Sequence, residues 1–547
     1  MVYDHGDVIV SNWNIADVWE TVSDRLPDAP ALVHGKDRRN WRQFDHHADG
    51  IARVLLDHGL REQDKVAQYL YNGVEYLESM FAVFKAGLVP VNTNYRYGDD
   101  ELVYLFDNSD TAAVVFHSTF TDRLAGIRAR VPKVRCWLWV NDGAGACPEW
   151  AVPYASAATA TGVDRVVPPW GRSPDHLFFL YTGGTTGMPK GVMWRQDDLF
   201  AVLNRSTTRR YPDPGDLDDV RAALDSPGYV HLCACPLMHG TGLVSSISAL
   251  DQGGSVVTLP SRTFHAEELL DVVARERVQT LAIVGDAFGR PIADALDAHP
   301  TRWDISSLVF IMSSGARWSD AVKDALLRHH PSLMLVDTLG SSEALAVGRS
   351  VKKSGSEDQR GRFALGPRTR VIDDDGRDVV PGSGAIGLVA NIGRAPIGYY
   401  KDPEKSERTF PLIDGKRATI LGDFATVEAD GTVTLLGRGS ACINTAGEKV
   451  FPEEVEDAIR THPSVNDVAV VGVPDAKYGE MVCALVEARP GVRVDEATII
   501  AHVKASLAGY KAPKRVLPVE SVTRGANGKL DYRVLKERAT QLVQSGR

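Results

Sequence analysis

Between Tyr181 and Trp194 the chain reads YTGGTTGMPKGVMW, a run of glycines and threonines closed by a lysine. Residue types like these at this spacing hold an anion. Glycine lets backbone N–H groups approach a ligand closely, and successive N–H groups form a concave donor surface. Here Gly183, Gly184 and Gly187 supply that freedom, Thr182, Thr185 and Thr186 add hydroxyl donors, and Lys190 adds a full positive charge. The pattern is not a Walker loop, which needs lysine directly after glycine and then serine or threonine. Met188 and Pro189 intervene. Composition alone leaves a plain glycine-rich turn as the other reading.

The elements that must position this segment are legible from periodicity. KVAQYL (65–70), LVPVN (88–92) and AAVVF (112–116) read as buried strands. Between the first two, Val74, Leu77, Phe81 and Phe84 recur at helical spacing until Gly87 stops the helix. HLFFLY, SVVTLP, QTLAIV, SLVFIM and SLMLVD predict further strands. The class is therefore α/β, with parallel-rich sheets flanked by helices and ligands expected at the strand C-terminal ends. Near 420–440 the texture changes to a hairpin turning at Asp430-Gly431, followed by a smaller α+β unit. The expected domains are 1–438 and a small mobile 439–547, with Arg438-Gly439-Ser440 as the joint.

Bulk properties narrow the class further. A chain of 547 residues exceeds one ordinary core. No apolar run approaches the ~20 residues that span a bilayer. A net charge of -10 argues against a nucleic-acid surface. Asp4 and Asp7 stand where a secretory signal carries basic charge, so a cytoplasmic location is expected. The six cysteines show no zinc spacing and read as buried thiols; Cys233 and Cys235 alternate as if on one face of a strand.

Other segments give the glycine-rich stretch its company. TGGTTGMPKG resembles the phosphate-binding signature of the adenylate-forming (ANL) superfamily, which includes acyl-CoA synthetases, peptide-synthetase adenylation domains and beetle luciferase. The resemblance covers essentially the whole chain, in the family's motif order. KAGLVPVNTNYR (85–96) is similar to its early structural motif, PLMHGTG (236–242) to its acyl-pocket motif, and LGSSE (339–343) to its aromatic-Gly-x-Thr-Glu box. LGD (421–423) and GR (437–438) match the ribose segments, GEKVFPEEVE (447–456) the opening of the mobile domain, and GANGKLDYR (525–533) the catalytic-lysine motif.

The resemblance implies ATP, CoA and Mg²⁺ as reactants and cofactors. A carboxylic acid is joined to the α-phosphate of ATP, and the acyl group then passes to CoA. Two anions must meet, so cations and fixed donors are needed where charge builds up. By the same resemblance Glu343 holds Mg²⁺ through a hard oxygen, Ser342 contacts phosphate, and Asp423 accepts from the ribose hydroxyls with Arg438 assisting. Asp337, Leu339, Gly340, Ser341, Gly315 and Ala316 complete the nucleotide group. Lys529 bridges carboxylate and α-phosphate. Ser440 is the pivot of a domain rotation, and Gly447 and Lys449 belong to the CoA side. Leu339 stands where an aromatic usually stacks on adenine, Ser440 where Asp or Lys is common, and Asn444 where some members have lysine.

His239, Thr241, Gly242 and Asp286 are the implied acyl-pocket residues, together with Gly315, Ala316 and Gly340. PLMHGTG carries no acid that would pair an amino-acid ammonium, so a monocarboxylic acid fits better. GDAFGRPIADAL and GRGSACINTAGEKVFPEEVE resemble ligases that activate steroid side-chain carboxylates, with relatives acting on polycyclic diterpenoid acids. A bulky, hydrophobic fused-ring acid is the expected substrate. The alternatives are a long-chain fatty acyl-CoA synthetase, an acyl-AMP ligase loading a carrier protein, and an inactive binding protein. Partners are small molecules, with no nucleic acid and no membrane span. A homodimer is the commonest arrangement for a soluble enzyme.

Overall fold

The structure is a computed structural model. It describes residues 12–545 apart from 161, 163, 185–186, 206, 317, 357–360, 439–441, 446–447, 476–478 and 525–529, and omits the side chains of 183, 184, 187, 438, 444, 448 and 449. The chain forms two compact units, one of residues 1–358 and 392–419, the other of 359–391 and 420–547.

The first unit is built on two large sheets. One runs in the order Gly398–Tyr399, Gly187–Arg195, Leu177–Gly184, Val89–Asn92, Lys65–Tyr69, Thr111–His117, Cys136–Val140, Val152–Pro153. From Leu177–Gly184 onward the neighbours are parallel, and the first three strands are joined by two antiparallel pairings. In the other sheet, Met334–Leu339, Phe310–Ser314, Thr280–Ile283, Val230–Cys233, Ser255–Thr258 and Pro30–His34 are parallel, and this run is flanked by the antiparallel strands Gly348–Lys352 and Asp37–Asn40. This is the α/β class expected from the alternating apolar runs. One strand is shorter than expected. Val230–Cys233 stops at Cys233, whose thiol turns to the Cys235 carbonyl at 3.1 Å, so the two thiols are buried but do not share a strand face.

The helix Val74–Lys85 is buried on every side, because its apolar repeat is filled in by Tyr76, Met80, Ala82 and Val83. Its ring-bearing face packs with Trp19 and Phe44, Trp19 meeting Phe81 edge-on at 5.2 Å. The helix ends on a fully buried lysine. Lys85 Nζ lies 2.7 Å from Glu20, 2.6 Å from Asp45 and 2.8 Å from Asp49. Arg172 shares Glu20, and Arg165 shares Asp45. Burial pushes both Glu20 and Asp49 up. At Glu20 the Arg172 hydrogen bond and the Lys85 charge outweigh burial and hold the carboxyl below its ordinary value, whereas at Asp49 burial prevails.

The second unit contributes hydrogen-bonded strands in the order Thr369–Ile372, Ile386–Ile392, Lys416–Val427, Val433–Arg438, Arg362–Leu365. The expected hairpin turn sits at Glu428–Thr432, with the Asp430 carboxylate accepting from Thr432 N–H at 2.9 Å. A smaller sheet follows, in which strands Val465–Asp475 and Gly479–Ala488 alternate but are buried on both faces. Val468, Val470 and Val486 cluster with Val455, Ile459 and Val503. Ala469, Val471 and Leu485 cluster with Leu535 and Ala539. The compact units differ from the division expected at 438/439. Residues 420–438 join the C-terminal part because Phe424 packs on Phe451 with centroids 5.4 Å apart, and the Glu453 carboxylate lies close against Gly437.

Removing the Lys85 charge strands three buried carboxylates. Lys85→Met is expected to cost about 3–5 kcal/mol, the usual result of breaking a buried ion pair from one side. Urea unfolding measures it, and an unchanged midpoint would show that the acids find other partners.

Candidate functional site

The glycine-threonine-lysine segment is an antiparallel hairpin. Thr182 stands opposite Lys190 and Gly184 opposite Gly187, with Thr185 and Thr186 between them in sequence and outside the described residues. The strand register therefore fixes Lys190 relative to the glycines. Gly191 is required for close approach, since a β-carbon there would come within 2.6 Å of the Tyr181 ring. Tyr181 in turn donates its hydroxyl to Asn108 Oδ1 at 2.7 Å.

Asn92 ties this hairpin to the acyl motif. Its side-chain oxygen accepts from Tyr181 N–H at 2.7 Å, and its amide donates to Tyr181 O at 2.9 Å and Met238 O at 2.7 Å. Trp194, fully buried, donates its indole N–H to Ser342 O at 2.8 Å. A β-carbon on Gly240 would lie 3.4 Å from Leu180 and 3.6 Å from Ser342 Oγ. The structure thus brings the loop, PLMHGTG and LGSSE together.

Glu343 and Lys190 share one polar cluster. Tyr399 donates its hydroxyl to Glu343 Oε1 at 2.8 Å, Thr419 donates to Glu343 O at 3.2 Å, and Ser341 Oγ accepts from Glu343 N–H. Lys190 Nζ sits 2.5 Å from Asp402 Oδ2 and 5.8 Å from the Tyr399 ring centre, which Lys405 Nζ approaches at 5.0 Å. The Lys190 hydrogen bond holds the Asp402 carboxyl below its usual range. Burial, and then the Lys190 charge, push Lys405 down. Mg²⁺ takes one or two carboxylates and completes its shell with phosphate and water. The single carboxylate of Glu343 suits an ion that arrives with a nucleotide, and the described residues hold no cluster of three ligating side chains.

The residues expected to line an acyl pocket gather at the C-terminal ends of parallel strands, where α/β sheets bind ligands. His239 and Gly240 open the helix Gly240–Asp251. Thr241 donates to Ser314 O at 3.5 Å and faces Gly315, whose φ of +86° suits glycine. Gly242 is buried against Pro236 O and Cys233 Sγ. Ala316 is packed against the main core. Asp286 accepts from Ser319 N–H at 2.8 Å and lies 3.6 Å from Arg290. Asp337 is ion-paired with Lys323, and burial raises its pKa. Leu339 ends its strand, and the turn after it closes through Ser341 N–H to Ala344 O at 2.9 Å beside Gly340.

In the second unit Asp423 and Arg438 are cross-strand partners, as are Asn444 and Lys449. Ser440, Gly447 and Lys529 lie outside the described residues. Sequence reasoning passed over Asn92, Trp194, Tyr399, Asp402 and Thr419. The signal for two of them was YYKDPEK, in which Asp-Pro marks a helix start, and the helix Pro403–Thr409 is indeed capped by Asp402.

Asn92→Leu removes three hydrogen bonds to buried backbone groups. A loss of roughly 2–5 kcal/mol is expected from the unpaired partners. Denaturant unfolding reads the cost, and hydrogen exchange across 177–184 should quicken; unchanged exchange there contradicts the tie.

Residues 19–390 match the AMP-binding enzyme family, and 454–529 match the AMP-binding enzyme C-terminal domain. The chain is 41% identical to a medium/long-chain-fatty-acid–CoA/3-oxocholest-4-en-26-oate–CoA ligase of Mycobacterium tuberculosis, over 96% of each chain. It is 38% identical to a 3-oxocholest-4-en-26-oate–CoA ligase of Rhodococcus rhodochrous, over 96% of this chain and 95% of that one. ATP-bound MatB from Rhodopseudomonas palustris superposes with a TM-score of 0.80 at 26% identity, over 96% and 99% of the two chains. The chain belongs to the AMP-binding enzyme family, as an AMP-forming acid–CoA ligase.

Proposed function

We propose that the acid activated here is a bulky, fused-ring hydrophobic carboxylic acid of the steroid side-chain type, with a polycyclic diterpenoid acid as the variant. The observation that carries this is the state of Asp286. Its carboxylate already accepts from Ser319 N–H and lies near Arg290, which disfavours a role in pairing the ammonium of an amino acid. Thr241 faces Gly315, and these residues and Ala316 are small, which suits a bulky ring system. The relatives named for a steroid 26-oate support the class, and the mycobacterial one is also named for medium- and long-chain fatty acids.

In the mechanism, an oxygen of the substrate carboxylate attacks the α-phosphorus of ATP and the bond to pyrophosphate breaks. Lys190 and the hairpin N–H groups hold the departing phosphates, with Thr182 and Ser342 as further donors. Glu343, oriented by Tyr399, would hold Mg²⁺, which would supply charge neutralisation at the phosphates. Asp423 takes the ribose hydroxyls, with Arg438 beside it. Lys529 attends the carboxylate and the α-phosphate during this step. The small domain 439–547 then turns about Ser440, withdrawing Lys529 and admitting CoA past Gly447 and Lys449. The thiolate attacks the acyl carbonyl and AMP leaves. A cytoplasmic location fits the use of ATP and CoA as reactants.

Lys529→Ala should abolish ATP–pyrophosphate exchange yet leave thioester formation from a supplied acyl adenylate. Exchange that survives the substitution refutes the role. For the acid, AMP release is measured with steroid, diterpenoid and long-chain acids, with and without CoA. Ring-bearing acids should lead and turnover should require CoA. A wide lead for fatty acids sinks the ring proposal, and turnover that needs a carrier protein sinks the acceptor.

A further inference from the structure

We infer that Asp402 is the resting counter-ion of Lys190, a positioning residue that yields the lysine to the phosphates of ATP and takes it back as pyrophosphate leaves. This rests on the reading that Lys190 grips phosphate.

Three observations support it. First, the pair is formed but breakable. The ammonium and carboxylate are 2.5 Å apart, and each side chain keeps about a third of its surface exposed, 34% and 31%. Solvent-exposed pairs of this kind shift an equilibrium by a factor of only about 1.5 to 5, which a polyanion with several charges overcomes. A fully buried pair would not let go.

Second, the carboxylate cannot wander. Asp402 Oδ1 caps the helix Pro403–Thr409 by accepting from Lys405 N–H at 3.2 Å. The chain just before it is laced onto the lysine's own strand. Gly398 and Tyr399 pair with Met193 and Val192, and Tyr400 N–H reaches Gly191 O at 2.8 Å. Lys190 therefore lies on a strand whose neighbour, Gly398–Tyr399, ends three residues before Asp402, the cap of the next helix. When phosphate displaces the carboxylate, the lysine moves and the acid stays.

Third, the local charges balance. Lys190 and Lys405 are offset by Glu343 and Asp402 around the Tyr399 ring. Neutralising Asp402 alone leaves a net cationic site that holds ATP and pyrophosphate more tightly. Such a change strengthens ground-state binding without favouring the transition state.

The test uses Asp402→Asn, because asparagine caps a helix start as well as aspartate does and so isolates the charge. Titration of wild type, Asp402→Asn and Lys190→Ala with Mg·ATP gives Kd, and inorganic pyrophosphate as product inhibitor gives Ki. In Asp402→Asn both constants should fall together by about 1.5- to fivefold, with the unfolding midpoint unmoved. The gain should shrink as salt rises, and KM for ATP should drop without a rise in kcat. Asp402→Ser, another capping residue, is the second variant should the first fold poorly. If Lys190→Ala weakens ATP while neither Asp402 variant tightens it, the counter-ion proposal is overturned and the loop reading stands. If Lys190→Ala leaves ATP affinity unchanged, both fall.

Discussion

Everything chemical in the first unit hangs on one side chain that behaves as a peptide group. Asn92 offers Tyr181 a carbonyl oxygen and an N–H at once, as the next residue of a β-ladder would, and uses its second N–H for Met238. The parallel pairing of Val91 with Phe179 is thereby prolonged past the end of the strand. Buried backbone groups that must be paired make such a junction specific as well as stable.

Charge is handled differently in the two polar regions of this unit. Around Lys85, burial is complete and each cation is locked by several acids, which gives a rigid and permanent structure. Around Lys190, the same residue types stand about a third exposed, with Lys190 and Asp402 paired across two segments. The contrast follows from dielectric. A pair removed from water is costly to separate, and one at the surface exchanges partners readily. The fold places the first kind in the scaffold and the second beside the glycine-rich hairpin.

Much of this was legible in the sequence, and the reasons are particular. The parallel strands announce themselves because both faces are buried, so Val89–Asn92 and Thr111–His117 read as unbroken apolar runs. The glycine-threonine-lysine stretch was visible by composition, but its hairpin register was not, since strand pairing after the apolar run depends on Tyr181 lying over Gly191. The union of segments around 399–402 was invisible for another reason. Tyr399 and Asp402 lie more than two hundred residues from Lys190, and no local pattern reports a contact across that separation. The same holds for Trp194 and Ser342. Residues 420–438 looked like the tail of the large domain because they follow it in sequence. Their packing on Phe451 and Glu453 is tertiary.

The short strand Gly398–Tyr399 also governs where this chain can change in length. Successive side chains of a strand point to opposite faces, and here Tyr399 turns to Glu343 while Tyr400 turns to Asp110. One residue inserted or deleted between Tyr399 and Asp402 would swap those directions and displace the helix cap at the same stroke. Variation by insertion is thus barred from this segment, while the exposed turn at Asp374–Arg377 can absorb it freely.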